Sequence, residues 1–368
     1  MRKFVTFTVC AVMIAALLAG CKASPTPAPS GSASPSGSSS HSGSKSPSPS
    51  SSASSSPSTS AGSAKTGLAV ITALSKSTDA GEKDGLAQVD SSVVAVLVDK
   101  DGKVKKCVID GIQAKISFDN KGKLVTPPTT TFKTKNELKE EYGMKKASGV
   151  GKEWYEEAQA FAKYVEGMTV DEIKNIKVDD QNYPTQTDLK SSVTISVGGF
   201  VKGIEKAVGM AQEGGAAESD KLSLGVVTDM KKSVSAESDK PGLAQVYSTF
   251  AAVTRDAGGK ITGCILDACQ SNVNFDAKGK ITTDLAEMPK TKNELGESYG
   301  MKEASGIKKE WNEQAFEFAK HITGKTADEI KGIAVDEAGY PLSSDVKSSV
   351  TISIAGFLAA LQKALPPE

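Results

Sequence analysis

Histidine is almost missing from this chain: 368 residues contain two, His41 and His321. His41 lies in low-complexity sequence. No feature that occurs more than once can therefore rest on an imidazole ligand or an imidazole base, which removes a repeated His metal site or Ser-His-Asp triad. Net charge is also missing, since Lys+Arg and Asp+Glu both count 44. Without a global basic field there is no electrostatic footprint for nucleic acid, and no acidic one for a solvating tail. Cysteine is sparse, with Cys10, Cys21, Cys107, Cys264 and Cys269 and no Cys-x-x-Cys or Cys/His cluster. That excludes the usual zinc, haem and iron–sulfur ligand patterns. Beyond the first 20 residues no apolar run approaches the length of a bilayer span.

What is present begins with an export signal. Arg2 and Lys3 precede an apolar run from about Phe4 to Leu18, which ends in Leu18-Ala19-Gly20-Cys21. This resembles the bacterial lipobox, which implies cleavage after residue 20 and a diacylglycerol on the Cys21 sulfur. Cys10 then leaves with the signal. After Cys21, residues 22–65 are almost entirely Ser, Pro, Ala, Gly and Thr, so the segment 21–65 has no core-forming side chains to offset ordering entropy. Such a tether reaches roughly 35 Å as a flexible coil. The expected location is the extracellular face of the cell membrane, through the lipid anchor alone.

Self-comparison reveals a duplication. Gly85-Leu-Ala-Gln-Val89 returns at Gly242 to Val246, Thr134-Lys-Asn-Glu-Leu138 at Thr291 to Leu295, and Tyr142-Gly-Met at Tyr299-Gly-Met, each shifted by 157 (242 − 85, 291 − 134, 299 − 142). Trp154 maps onto Trp311 and Tyr183-Pro onto Tyr340-Pro. The register predicts two tandem copies of one domain, residues 66–212 and 220–368, each with a full set of strands and helices and able to fold independently. Cys107 and Cys264 fall at matching positions, as small core residues would, and Cys264 and Cys269 could bridge.

Each copy reads as strands first and helices after. Ser92 to Val98 is rich in β-branched residues and runs into the turn Asp99-Lys-Asp-Gly102; Val104 to Ile109 and Ala114 to Phe118 are expected as second and third strands. Helical spacing follows. Trp154, Ala158, Phe161 and Val165 share a face that Gly167 ends, and Thr169-Val-Asp-Glu172, repeated at Thr326, has the form of a capping box. Val193, Val197, Phe200, Ile204 and Val208 form a stripe matched by Val350, Ile354, Phe357, Leu361 and Leu365. The predicted class is α+β, an antiparallel β-sheet followed by helices packed on it.

One segment exceeds what folding requires. Asp188-Leu-Lys-Ser-Ser-Val-Thr-Ile-Ser196 recurs as Asp345 to Ser353 with a single change, Leu189 to Val346. It would place Ser191, Ser192 and Thr194, and likewise Ser348, Ser349 and Thr351, at the mouth of the last amphipathic helix. There a serine could cap the free N–H groups, or those groups could receive a phosphate. The loop charges Asp179, Asp180, Asp336 and Glu337 read as solvated.

The pattern Asp-x-x-Ser-Ser-Val-Thr resembles the acceptor motif of covalently flavinylated proteins, Asp-x-x-(Ser/Thr)-Gly-Ala-(Thr/Ser), departing from it in bulkier residues at Gly-Ala. The repeat as a whole, with Tyr-Gly-Met, the Trp-bearing helix and this segment, resembles that of the extracellular electron-transfer flavoprotein lipoproteins of Gram-positive bacteria, over nearly all of residues 66–368. The resemblance implies two covalent FMN groups. A flavin transferase would attach them as phosphoesters to Thr194 and Thr351, with Asp188 and Asp345 as the motif acids. It also implies a membrane quinone-linked dehydrogenase as electron donor and external acceptors such as ferric iron. Trp154, Trp311, Tyr183 and Tyr340 are candidates to line the flavin or to pack in the core. The competing expectation is a cofactor-free cell-wall or solute-binding lipoprotein.

Overall fold

The computed structural model describes residues 62–366. The lipobox, Cys21 and the tether up to residue 61 lie outside the described residues. In repeat 1, strands β1 (Lys65–Ala73), β2 (Gly85–Val98) and β3 (Val104–Phe118) form an antiparallel meander, and a two-residue β4 (Thr131–Phe132) follows. Helices α1 (Lys135–Leu138), α2 (Trp154–Tyr164), α3 (Val170–Lys174), α4 (Thr187–Lys190) and α5 (Gly198–Gly209) complete it. After β5 (Gln212–Glu213), repeat 2 supplies β6 (Lys221–Asp229), β7 (Gly242–Arg255) and β8 (Ile261–Phe275). Its helices are α6 (Lys292–Leu295), α7 (Trp311–Ile322), α8 (Ala327–Lys331), α9 (Ser344–Lys347) and α10 (Ala355–Ala364). The α+β class with antiparallel sheets and packed helices is as expected.

Two local details depart from expectation. β1 precedes the first anticipated strand; its run of buried residues is nearly continuous, because both faces of its sheet are covered. The anticipated second and third strands are one, β3, which passes through Asp110-Gly111 without a turn. There the Asp110 carboxylate is buried and accepts from Gly111 N–H (2.7 Å) and Asn136 N–H (3.1 Å), so it pins α1 to the strand instead of ending it. The capping boxes do form, with Thr169 on Glu172 and Thr326 on Glu329.

The sheet orders are β3-β2-β1-β5 and β4-β6-β7-β8. Strand β4 of repeat 1 therefore extends the sheet of repeat 2. One face of each sheet carries helices: Val94, Val96 and Ile109 pack with Trp154, Phe161, Phe200 and Ile204, and repeat 2 matches this around Phe318 and Phe357. The other faces pack on each other. Leu68, Val70, Ile112, Ile116 and Phe118 join Val226, Phe250, Val273 and Phe275 in one core that both repeats build.

The contacts across this interface are reciprocal. Phe118 stacks on its counterpart Phe275 at 4.1 Å between centroids. Lys206 pairs with Glu294 at 2.6 Å, and the matching Lys363 with Glu137 at 2.6 Å. Ala80 N–H donates to Gly279 O, and Ala236 N–H to Gly122 O. This is the contact pattern of an isologous dimer within one chain. Each repeat has a helix-on-sheet core of its own, but the two share a third.

Cys264 and Cys269 are both free and lie on β8 five residues apart, so they point to opposite faces and cannot bridge. Cys269 is in the inter-sheet core and Cys264 packs on the helix side. Among the described residues no helix is long and apolar enough to cross a membrane.

Candidate functional site

The motif segment does not start the last helix. Val197 is the N-cap of α5 and has no capping side chain. Ser191 and Ser192 instead follow α4 and donate to the carbonyls of Asp188 (2.8 Å) and Leu189 (3.2 Å). Ser348 and Ser349 do the same to Asp345 (2.7 Å) and Val346 (3.4 Å). The capping role expected of these serines is thus replaced by closure of a short helix at its C-terminal end. The apolar stripe is real, since Val193, Val197, Phe200 and Ile204 are all buried, but it spans a turn and a helix and hid the break between them.

The turn carries Thr194 over α2. Its backbone N–H and its hydroxyl both donate to the Glu157 carboxylate, at 2.5 and 3.1 Å, and Ser148 donates to the same group at 2.6 Å. Glu157 has no exposed surface. In repeat 2 its place is taken by Gln314, also fully buried. The Gln314 carbonyl accepts from Thr351 N–H (2.7 Å) and Thr351 hydroxyl (3.1 Å), while its amide donates to Ser305 (3.1 Å). The geometry is the same with and without a charge, so the shared role of this residue is to hold the turn and aim the threonine.

Each threonine faces an open cavity. The first, of about 380 Å³, has Thr194, Trp154, Tyr142, Tyr183, Lys135 and Ser148 in its wall. The second, of about 480 Å³, has Thr351, Trp311, Tyr299, Tyr340, Lys292 and Ser305, the same positions shifted by 157, plus Lys232 and Tyr247. Both volumes are in the range of small-molecule sites. A further cavity of about 370 Å³ beside Cys264 and Phe316 contains no motif threonine, and Phe316 is replaced in repeat 1 by Gln159.

The wall is held rigidly. Trp154 is buried and meets Phe200 edge-on, so its ring is both core and cavity wall. Trp311, also buried, packs on Phe357 in a tilted arrangement. Lys135 Nζ lies 4.8 Å from the Tyr142 ring centre and 4.7 Å from that of Trp154; Lys292 Nζ lies 4.7 Å from both Tyr299 and Trp311. Burial, reinforced by neighbouring Lys232, pushes the Lys292 ammonium down to about 8. The loop bearing Met144 hangs on buried Glu153, which accepts from the N–H groups of Met144 (2.8 Å) and Lys145 (3.1 Å); Glu310 repeats this. Tyr183 and Tyr340 are presented by loops closed on Asp179 and Asp336, which accept from their N–H groups at 2.9 Å. Asp179 and Asp336 therefore shape these loops, beyond the solvated role expected of them.

No family model, curated protein or solved structure matches the chain.

Of the residues singled out by sequence, the structure gathers Thr194, Trp154 and Tyr183 at one cavity and Thr351, Trp311 and Tyr340 at the other. Asp188 and Asp345 are exposed on α4 and α9 and do not line the cavities. Asp188 accepts from the Tyr164 hydroxyl at 3.2 Å. Sequence reasoning missed Lys135/Lys292, Ser148/Ser305 and Glu157/Gln314. The lysine stands inside the repeated Thr-Lys-Asn-Glu-Leu, which was read only as a mark of duplication. Glu157 was hidden because it follows Glu156 in the first turn of α2, where an acid is ordinarily read as a surface residue.

Proposed function

We propose that the protein is a lipid-anchored extracellular electron carrier with one FMN joined covalently to Thr194 and one to Thr351. The observation that carries this reading is that one cavity is built twice, around the threonine of each Asp-x-x-Ser-Ser-Val-Thr segment. The residues fit the group. Trp154, Tyr142 and Tyr183 offer aromatic surface to a planar ring, and Lys135 offers a cation to an anion. The threonine hydroxyl stands at the wall, half-buried in repeat 1 and exposed in repeat 2. When bound, FMN supplies the reversible electron chemistry, while the protein supplies attachment, orientation and electrostatics.

Attachment would form a bond from threonine Oγ1 to phosphorus and break the pyrophosphate of FAD. AMP leaves, and the hydroxyl proton departs to a base. Glu157 and Gln314 aim that oxygen. Exposed Asp188 and Asp345, with Ser191, Ser192, Ser348 and Ser349 beside them, form the surface that a flavin transferase would read. A phosphoester keeps the group from being lost outside the cell, and a long tether would let both groups reach between a quinone-linked dehydrogenase in the membrane and an external acceptor.

The test is peptide mass and colour. Protein from its native host should be yellow after denaturation, with FMN mass on the peptides containing Thr194 and Thr351. Thr194→Ala and Thr351→Ala should each remove one flavin, leaving the fold intact because an exposed or half-buried hydroxyl contributes only about 1 kcal/mol. Unmodified threonines in the native protein would refute the carrier and favour a cofactor-free binding lipoprotein.

A further inference from the structure

The two cavities share shape but not charge. Lys135 corresponds to Lys292 at the aromatic wall; Lys232 lines the second cavity, and its counterpart Lys76, since β1 and β6 are offset by 221 − 65 = 156, lies outside the wall of the first. The acids do not correspond. Glu157, fully buried against Thr194, becomes neutral Gln314. Asp90, which pairs with Lys76 at 3.0 Å, becomes Tyr247, whose hydroxyl instead accepts from Lys292 at 3.2 Å. Repeat 2 thus keeps both cations and loses the buried carboxylate against the threonine, while the loss of Asp90 is offset by Asp229, which stands opposite Tyr247 where repeat 1 has Ala73. Acids common to both copies, such as Asp110 and Asp267 or Glu153 and Glu310, cancel in the comparison.

Reduction adds negative charge to a flavin site, so the more positive surroundings hold electrons more tightly. Buried charges act strongly because solvent screens them little. We infer that the two sites are deliberately unequal in potential: the group at Thr351 is the stronger electron acceptor, and the group at Thr194 is the donor to it. This rests on the carrier reading and adds a direction to it.

The test uses full-length flavinylated protein in which one acceptor is removed at a time. Thr351→Ala leaves a single flavin at Thr194, and Thr194→Ala leaves one at Thr351. Redox titration followed by absorbance should place the Thr351 site higher, by at least a tenfold shift in the oxidised-to-reduced ratio, about 30 mV for a two-electron couple. Glu157→Gln in the first protein should raise its potential, and Gln314→Glu in the second should lower it. Each substitution installs the residue that the other copy already accommodates in the same hydrogen bonds, so the fold is kept. Peptide mass run in parallel shows whether flavin is present. Flavin at both threonines with equal or reversed potentials, or no response to the two exchanges, overturns the inference and leaves the carrier reading standing. Absence of flavin from both overturns the two together.

Discussion

Cutting the chain between its repeats should not release two stable monomers. Residues 66–212 alone would expose the inner face of their sheet, where Leu68, Val70, Leu74, Val89, Val93, Ile112, Ile116 and Phe118 are each no more than 3% exposed. Full burial of each such side chain stabilises by about 1.5–3 kcal/mol. Part of that area stays covered by sheet neighbours. Uncovering half of it still forfeits about 6–12 kcal/mol, comparable to the whole stability of a typical domain. The interface is reciprocal, however, so a second copy of the same fragment could take the missing partner's place. Phe118 would stack on Phe118 of that copy where it now meets Phe275, and Lys206 would face Glu137 where it now meets Glu294. The expected outcome is a dimer by light scattering whose melting temperature rises with concentration. Phe118→Asp in the fragment should abolish both dimer and fold. A monomeric fragment with a cooperative, concentration-independent melt would refute the argument, because each repeat would then be sufficient in itself.

Burial pushes the carboxyl of Asp110 up to about 6 and that of Asp267 up to about 7. A raised folded-state value means the native state holds these protons more tightly. Their stabilisation is full below about pH 4 and is lost as pH rises through 6 to 7, by a few kcal/mol in all at about 1.4 kcal/mol per unit. Urea midpoints of wild type relative to Asp110→Asn/Asp267→Asn should therefore fall from pH 4 to pH 8, and a flat difference would contradict the burial argument. Export makes a separate prediction. Cys21→Ser should shift the protein from the membrane fraction to the medium, and a variant still bound to membranes would mean that the anchor is not the lipid.

Local patterns were legible because local geometry enforces them. The Thr169–Glu172 capping box joins residues three apart, and the face from Trp154 to Val165 follows helical spacing, so neither depends on the rest of the molecule. The repeat register, the α+β class and the two threonines likewise came from patterns along the chain. The spacing of the stripe from Val193 to Val208 misled, because a turn followed by a helix carries apolar side chains inward as regularly as one long helix would. The expected gap between Ile109 and Ala114 is absent for a related reason: Asp110 and Gly111 stay in the strand, where the Asp110 carboxylate accepts hydrogen bonds from Gly111 and from α1.

Tertiary structure decided what joins distant residues. Thr194 meets Glu157 across 37 positions, and Lys135 lies over Trp154 from a different helix. Each needs the sheet to bring its elements together, and no periodicity records that. The same holds for the pairing of the two sheets. An inner face of Leu, Val, Ile and Phe says that something must cover it, and only the folded chain shows that the cover is the other repeat. The duplication was written in the sequence, but its symmetry arises from a hydrophobic surface too large to leave in water.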